Sequence, residues 1–314
     1  MKTLVSQRHF IKFYLSIILL TLLLSGIATV SLFAYNKQLD IGDLKPIDKL
    51  IPIFSIACYA FAGFCLYSYI KNVPTIILDK DFIRFNNQTF ALADINKIEL
   101  TGKRPLKYAV SSPMEAATLT FNNGVTKYIF DDMYSNSWEM KSFLKQVVID
   151  KKDFFEVTEN VIDTSTLDND YYETYKGTVI TSLRGISFWV IIGISAFLIL
   201  SHSKPITTEF VVSFFCFLSF WIFFHSYLMN YFQVSDNYFV IRNHNFFWTK
   251  KAYRIADIRE VVFESRGKMP NCLRIITKDF RNKLYPAGTL RDQTWLDLKE
   301  KLETYKIKVR NECI

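Results

Sequence analysis

Four apolar runs limit what this chain can fold into more than any other feature. Residues 13–35, 50–70 and 210–231 contain no charged side chain, and residues 183–200 contain only Arg184 near their start. A helix needs about 20 apolar residues to cross a hydrocarbon core of about 30 Å. Short loops join the runs in pairs, so the sequence predicts four transmembrane helices arranged as two antiparallel hairpins.

The first run follows a basic N-terminal segment, which is also how a secretory signal peptide begins. The segment carries Lys2, Arg8 and Lys12 and no acidic residue. However, the run is longer than the roughly 7–15 apolar residues of a signal-peptide core, and residues 32–34 make a poor cleavage site. We therefore expect a retained transmembrane helix.

After each hairpin the sequence alternates between apolar and polar residues. Half of all residues are hydrophobic, yet 22% are charged, a mixture typical of a protein that lies partly in lipid and partly in water. Short alternating segments separated by turn residues predict antiparallel strands, and residues 138–149 place apolar side chains on one helical face. The expected fold class is α-helical membrane hairpins plus two small α+β domains, each closed by a C-terminal helix. In the first half, strands are predicted at residues 75–79, 82–86, 89–92, 95–100, 117–121 and 125–130.

The second half of the chain repeats the first. Residues 82–84 match residues 240–242 at a spacing of 158 positions, and the Ala-Asp-Ile steps at 93–95 and 256–258 match at 163. Each change of spacing falls in a predicted turn, as loop insertions in a duplicated unit require. The sequence therefore predicts two copies of one unit. The predicted boundaries are a transmembrane hairpin at 1–70, a domain at 71–150, an acidic linker at 151–182, a second hairpin at 183–231 and a second domain at 232–314.

Two apolar helices, a strand pair, an apolar-x-Asp-Ile step and an amphipathic helix follow one another in each half. The strand pair and the step lie at residues 82–84 and 92–95 in the first half, and at residues 240–242 and 255–258 in the second. In these features each half resembles bacterial pleckstrin-homology-like (bPH-type) membrane proteins with an N-terminal transmembrane hairpin. Many family members carry Trp where the two steps here begin with Leu and Ile. The resemblance implies an antiparallel, partly open β-barrel capped by the last helix, and it implies no enzymatic activity.

The aspartates of the repeated step are the first candidates for a chemical site. Asp94 and Asp257 each precede an Ile at the start of a predicted strand. Such a carboxylate can act as a metal ligand or a base, but neither aspartate lies in a metal-ligand or catalytic pattern. A turn in which the Asp side chain accepts hydrogen bonds from backbone amides explains both positions. We favour that interpretation.

The Gly-Lys-x-Pro loops at residues 102–105 and 267–270 are the second candidates. Gly allows a positive φ and Pro limits strand pairing, so a plain turn explains two of the four positions. The basic side chains are suited to the phosphate of a lipid headgroup or to another anion, although the spacing is not that of a nucleotide-binding P-loop. The candidate anion or headgroup contacts are Lys103, Arg104, Arg266 and Lys268.

Charge is distributed unevenly along the chain. Residues 71–182 carry 13 basic and 16 acidic residues, a net charge of −3, whereas residues 230–314 carry 17 and 10, a net charge of +7. Basic residues flank both hairpins at the ends that join the predicted domains, and the positive-inside rule places such ends in the cytoplasm. We therefore expect a multi-pass protein of the inner membrane with both termini and both domains cytoplasmic. Its second domain is expected to be attracted to anionic lipid.

No pattern typical of an enzyme is evident in the sequence. The five cysteines and four histidines are scattered and form no metal-binding spacing. We expect a non-enzymatic scaffold, sensor or interaction module at the membrane surface, without a cofactor or metal. Its expected partners are the lipid bilayer, anionic headgroups and another protein, but no nucleic acid. The alternatives are an immunity-type protein that protects against a toxin and an accessory subunit of a membrane transporter.

Overall fold

The structure is a computed structural model that describes residues 3–42, 45–107, 111–156, 167, 170–201, 207–265, 267 and 269–314. The chain divides into two units, Met1–Val157 and Thr158–Ile314. Each unit contains two long apolar helices, two four-stranded sheets and a short amphipathic helix. The two units are described separately below.

Four helices are long and apolar enough to cross a membrane, as the sequence predicts: Phe10–Ile41, Pro46–Asn72, Leu183–Leu200 and Thr208–Tyr227. Large apolar side chains cover their outer surfaces, and lipid is the solvent that such surfaces require. The length and apolar surface of these helices indicate a protein that is embedded in a membrane. The fourth helix ends four residues earlier than predicted because the chain turns into a strand there. The α-helices are α1 (Ser16–Ile41), α2 (Ile51–Asn72), α3 (Ser137–Phe143), α4 (Leu183–Leu200), α5 (Thr208–Tyr227) and α6 (Asp292–Thr304).

In the first unit, small side chains are buried along α1 and α2. Ala28, Ser55 and Ala62 are at most 3% exposed, although most of each helix surface is open. Thr29 Oγ1 and Tyr59 OH lie 2.8 Å apart and form a hydrogen bond between the helices. Small residues and hydroxyl bonds are what hold helices together in lipid, so α1 and α2 form the predicted hairpin.

The first sheet of this unit begins before the first transmembrane helix. β1 pairs with β2, with Leu4 opposite Leu78, so the chain contributes one strand before it enters α1. β1 is not predictable from the sequence, because two residues are too few to show an alternating pattern. The strands are β1 (Leu4–Val5), β2 (Ile76–Leu78), β3 (Phe82–Phe85) and β4 (Gln88–Ala91), hydrogen-bonded in that order.

The second sheet is built around a long central strand, β7. The sequence predicts a loop before residue 117, because Pro105 lacks an N–H for strand pairing. In the structure Pro105 lies on a strand opposite Pro113. Pro is tolerated on such a short outer strand, where its missing N–H interrupts few ladder bonds. The strands are β5 (Ile95–Glu99), β6 (Lys103–Lys107), β7 (Ser111–Phe121) and β8 (Thr126–Phe130).

The second unit has a similar order of elements. A strand, β9, again precedes its first long helix and pairs with the strand that follows the hairpin. This strand lies in the segment predicted as a linker, residues 151–182, of which 157–166, 168 and 169 are outside the described residues. The last strand, β16, pairs in parallel with β13 and extends the second sheet. The strands are β9 (Glu173–Tyr175), β10 (Asn230–Val234), β11 (Tyr238–Asn243), β12 (Lys250–Arg254), β13 (Ile258–Glu264), β14 (Cys272–Thr277), β15 (Asn282–Pro286) and β16 (Lys308–Asn311).

A turn with the same hydrogen bond precedes β3 in the first unit and β11 in the second. Asp79 N donates to Phe82 O before β3, and Ser235 N donates to Tyr238 O before β11. Counted from these turns, β3 and β11 correspond at a spacing of 156 positions, not at the 158 of the sequence match. Side chains alternate with a period of two, so a shift of two residues keeps the apolar pattern and is invisible in the sequence. The Ala-Asp-Ile steps keep their spacing of 163, since the Ala and Asp of each step lie in a 3₁₀ turn and the Ile begins the next strand.

The core of the second α+β part lies between its two sheets and α6. Trp295 on α6 is fully buried, and its ring centroid lies 5.7 Å from that of Phe232 on β10 and 4.8 Å from that of Phe263 on β13. These contacts join the helix to both sheets. Within the described residues no strand pairing closes the sheets into a barrel. The α+β class with four apolar helices is therefore the part of the expected fold that the structure confirms.

Candidate anion-binding site

Lys103 and Arg104, two of the predicted anion contacts, lie at the start of β6. Gly102 before them has φ +134°, which Gly adopts readily, but the other three residues of the turn predicted at 102–105 belong to β6. Arg104 Nε donates to Thr118 Oγ1 at 2.7 Å, and the guanidinium forms an ion pair with Glu99. The charge of Arg104 is thus already engaged within the sheet. The other two predicted contacts, Arg266 and Lys268, lie outside the described residues.

The surroundings of Arg104 carry nearly balanced charge. Lys97 Nζ lies 2.7 Å from Glu99 Oε1, and the hydrogen bond from Lys97, with the nearby charges of Lys97 and Arg104, lowers the pKa of Glu99. A cavity of about 350 Å³ beside them is lined by these three side chains, Thr120 and other polar groups. Two cations and one carboxylate leave only a small positive excess for an anion.

Asp94 and Asp257 end the 3₁₀ turns that precede β5 and β13. Their backbone carbonyls accept hydrogen bonds from Asn122 N and Lys278 N, each at 2.8 Å. In the described part of the chain, neither carboxylate accepts a bond from a backbone amide. The backbone carbonyl of each aspartate, and not its carboxylate as predicted, therefore holds the turn. These bonds connect each turn to the β-hairpin in the second sheet of its unit.

In the second unit, the hydrogen bond from Lys278 N to Asp257 O borders a cavity that no sequence motif indicates. The cavity has a volume of about 360 Å³ and lies between β12 and the turn that joins β14 to β15. We call it the cationic cavity, because its lining is rich in basic side chains. These are Lys251, Arg254, Lys278, Arg281 and Lys283.

The positive charge of the cationic cavity is only partly compensated. Its lining includes two acidic residues, Asp257 and Asp279, and Arg281 Nε lies 3.1 Å from Asp279 Oδ2. The side chains of Lys251 and Lys278 are exposed and have no ion-pair partner within the residues that the structure describes. Five cations against two carboxylates concentrate anions at this surface.

A pair of hydrogen-bonded tyrosines, one of which lines the cationic cavity, supplies neutral hydroxyl groups. Tyr253 lines the cavity, and its OH lies 2.7 Å from the OH of Tyr285. Burial raises the pKa of both phenols above the ordinary value. Both therefore stay protonated at neutral pH, and the wall offers a hydrogen-bond donor without adding negative charge.

The corresponding corner of the first unit is filled by aromatic rings. Phe90 on β4 and Phe121 on β7 stack with ring centroids 4.2 Å apart. Lys127 Nζ lies 5.7 Å from the centroid of the Phe90 ring and donates to Gln88 Oε1 at 2.7 Å. One lysine thus covers an apolar corner there, whereas five basic residues surround open space in the second unit.

The basic residues of the cationic cavity are visible in the sequence as a high net charge, but that charge does not locate a site. They raise the net charge of residues 230–314 to +7, which shows where charge is concentrated along the chain. Lys251 and Lys278 approach the same cavity only because β12 and the β14–β15 turn lie on different sheets that meet there. No short sequence motif indicates that β12 and the β14–β15 turn lie close together.

No protein-family model and no curated protein matches the chain. In the described residues, no group of three or more His, Cys, Asp or Glu side chains is arranged to hold a metal ion. The cationic cavity is therefore the candidate site on which a function can be argued from this chain alone.

Proposed function

We propose that this protein is a non-enzymatic binding module at the cytoplasmic surface of the inner membrane. Each transmembrane hairpin holds a pleckstrin-homology-like domain there, and the domain of the second unit binds a phosphate-bearing anion in the cationic cavity. The excess of five basic over two acidic residues around that cavity carries the proposal.

Firm attachment of each domain to its own helices supports a role at the membrane surface. In the first unit Lys12 Nζ lies 2.6 Å from Asp132 Oδ1, and Tyr69 OH donates to Lys12 O at 2.9 Å. In the second unit Asn230 Nδ2 donates to Tyr227 O and to Pro286 O, at 3.1 and 2.7 Å. Bonds at the helix ends hold each domain close to the lipid surface.

A duplicated origin of the two units is part of the proposal. The similar order of elements supports it, as does the strand that each unit contributes before its hairpin. The two copies then differ where binding would occur, because aromatic packing fills the corner of the first and cations surround that of the second. In this account the first domain is mainly structural and the second binds the anion.

Basic residues at the domain ends of the hairpins support the cytoplasmic orientation. Arg8 and Lys12 precede α1, Lys71 lies in the last turn of α2, and Arg184 lies in the first turn of α4. Lys and Arg at these positions favour retention on the cytoplasmic side. Anionic lipids of that leaflet would attract the basic second domain by about 1 kcal/mol for each well-placed Lys or Arg.

The test is a binding titration of the full chain in nanodiscs. In discs of neutral phosphatidylcholine, inorganic pyrophosphate is titrated in a calorimeter, and saturable binding that weakens with added salt is expected. In discs that contain phosphatidic acid, weaker binding of pyrophosphate would identify the lipid headgroup as a competitor for the site. Unchanged binding would identify a soluble phosphate compound as the ligand class. Absence of binding in both kinds of disc, with the protein folded, would refute the proposal.

A further inference from the structure

The turn between β11 and β12 in the second unit is long and aromatic. It spans residues 244–249, whereas the corresponding turn of the first unit consists of residues 86 and 87. Phe247 and Trp248 are 79% and 68% exposed, respectively. Their rings contact each other with centroids 4.9 Å apart, and Trp248 also contacts Phe246 at 5.4 Å. Two large, adjacent apolar side chains are therefore presented outward.

The aromatic turn is fixed against the end of a transmembrane helix. Asn245 Nδ2 donates to Ser226 Oγ at 2.7 Å, and Asn243 Nδ2 donates to Ser226 O at 2.7 Å. The ring of Phe246 lies 5.6 Å from that of Phe223. Ser226 and Phe223 belong to the last two turns of α5. The aromatic turn thus lies at the level of the C-terminal end of this apolar helix.

The residues around the aromatic turn match the requirements of that level. Trp and other aromatic side chains are enriched where a protein crosses the boundary between hydrocarbon and headgroups. Lys250 and Lys251 follow directly, and residues 240–255 contain no acidic residue. Lysines beside inserted aromatic side chains contact lipid phosphates and are attracted to anionic leaflets.

We propose that the aromatic turn inserts Phe247 and Trp248 into the interfacial layer of the bilayer that α5 crosses. The partner of this surface is lipid. The inserted turn anchors the second domain at its near end and holds β12, a wall of the cationic cavity, at a fixed distance from the headgroups. The inference depends on the membrane embedding of α5, but it does not depend on anion binding in the cavity.

The test places the photoreactive residue p-benzoylphenylalanine at position 247 of the full chain in nanodiscs. The control carries it at position 171, where Tyr171 is 92% exposed. That position lies two residues before β9, which pairs with the end of β10 remote from α5. After illumination, mass spectrometry is expected to find lipid adducts at 247 and none above background at 171. Adducts of 247 with protein only, including a second copy of this chain, or no adducts at all, would overturn the inference.

A second measurement does not rely on an unnatural residue. Brominated lipids quench tryptophans that contact acyl chains, so Trp248→Phe is expected to lower the quenched fraction of the total fluorescence. Trp295→Phe, which removes a fully buried tryptophan of the second unit, is the control and should not lower it. An unchanged quenched fraction in Trp248→Phe would count against insertion. A Lys278→Gln variant separates the two proposals, because Lys278 lines the cationic cavity and lies outside the aromatic turn. It should bind pyrophosphate roughly fivefold more weakly and still form lipid adducts at position 247.

Discussion

Lys251 and Lys278 line the cationic cavity and have no ion-pair partner within the described residues, so neutralising both should weaken anion binding. The double variant Lys251→Gln/Lys278→Gln removes two positive charges from the cationic cavity and keeps side chains of similar length. In a cavity of about 360 Å³, a cation in the wall lies roughly 5 Å from an anion at the centre. At that distance one unit charge contributes about 0.8 kcal/mol in a water-like dielectric and about 3 kcal/mol at an effective dielectric of 20.

The cationic cavity is open to water, so the lower figure applies. About 1 kcal/mol for each lysine corresponds to roughly fivefold weaker binding, and to roughly 25-fold for both if their effects add. The assay is calorimetric titration of the full chain in neutral nanodiscs with inorganic pyrophosphate at an ionic strength of about 0.1 M, which screens distant surface charges but not those within the cavity.

The matched control is Lys299→Gln/Lys306→Gln, which makes the same change in net charge at two lysines outside the cationic cavity. Binding by this control should stay within about twofold of the unaltered chain, because surface charges beyond a Debye length of about 10 Å are screened. Equal losses in the two double variants would show that binding depends on overall charge and not on the cavity, which would refute the reasoning.

Three further predictions concern the fold that holds the cationic cavity. An added Cβ at Gly177 would lie 1.6 Å from Thr289 O, so Gly177→Ala should lower the thermal midpoint of the second unit. The control Gly193→Ala, which has open space around the added Cβ, should not lower it. Similar midpoints for the two variants would contradict the close approach of Gly177 to Thr289. Trp295→Ala should reduce the free energy of unfolding by about 3–5 kcal/mol, measured by denaturant titration in detergent, and a loss below about 1 kcal/mol would contradict its central place in the core. Burial lowers the pKa of His244, so the stability that the neutral imidazole contributes above its ordinary pKa should be lost as pH falls below about 6.5. His244→Gln should therefore reduce the change in thermal midpoint between pH 7.5 and pH 5. An unchanged pH dependence in this variant would count against the role of His244.

The features that the sequence predicts well depend on local pattern. Four uncharged runs are enough to predict four long helices, because the thickness of the hydrocarbon core sets a length that few other structures require. Strands β3, β4, β7 and β8 and the positive φ at Gly102 were predictable for a similar reason, since alternation and glycine positions are readable within a few residues.

The features that the sequence does not predict depend on pairing between distant segments. β1 and β9 contain only two and three residues and become strands only because a partner edge is available after the hairpin. β6 contains a proline and was expected to be a loop, yet its position opposite Pro113 accommodates it. The cationic cavity is of the same kind, because its lysines converge only once two sheets have formed.

Protection of individual lysines from acylation tests the central claim most directly. The full chain in neutral nanodiscs is treated briefly with an amine-acylating reagent, with and without saturating pyrophosphate, and the extent of modification is read at each lysine by peptide mass spectrometry. The account predicts that pyrophosphate slows the acylation of Lys251 and Lys278 and leaves Lys306 unchanged. Equal rates at all three lysines with and without pyrophosphate would contradict the assignment of the cationic cavity as the anion site.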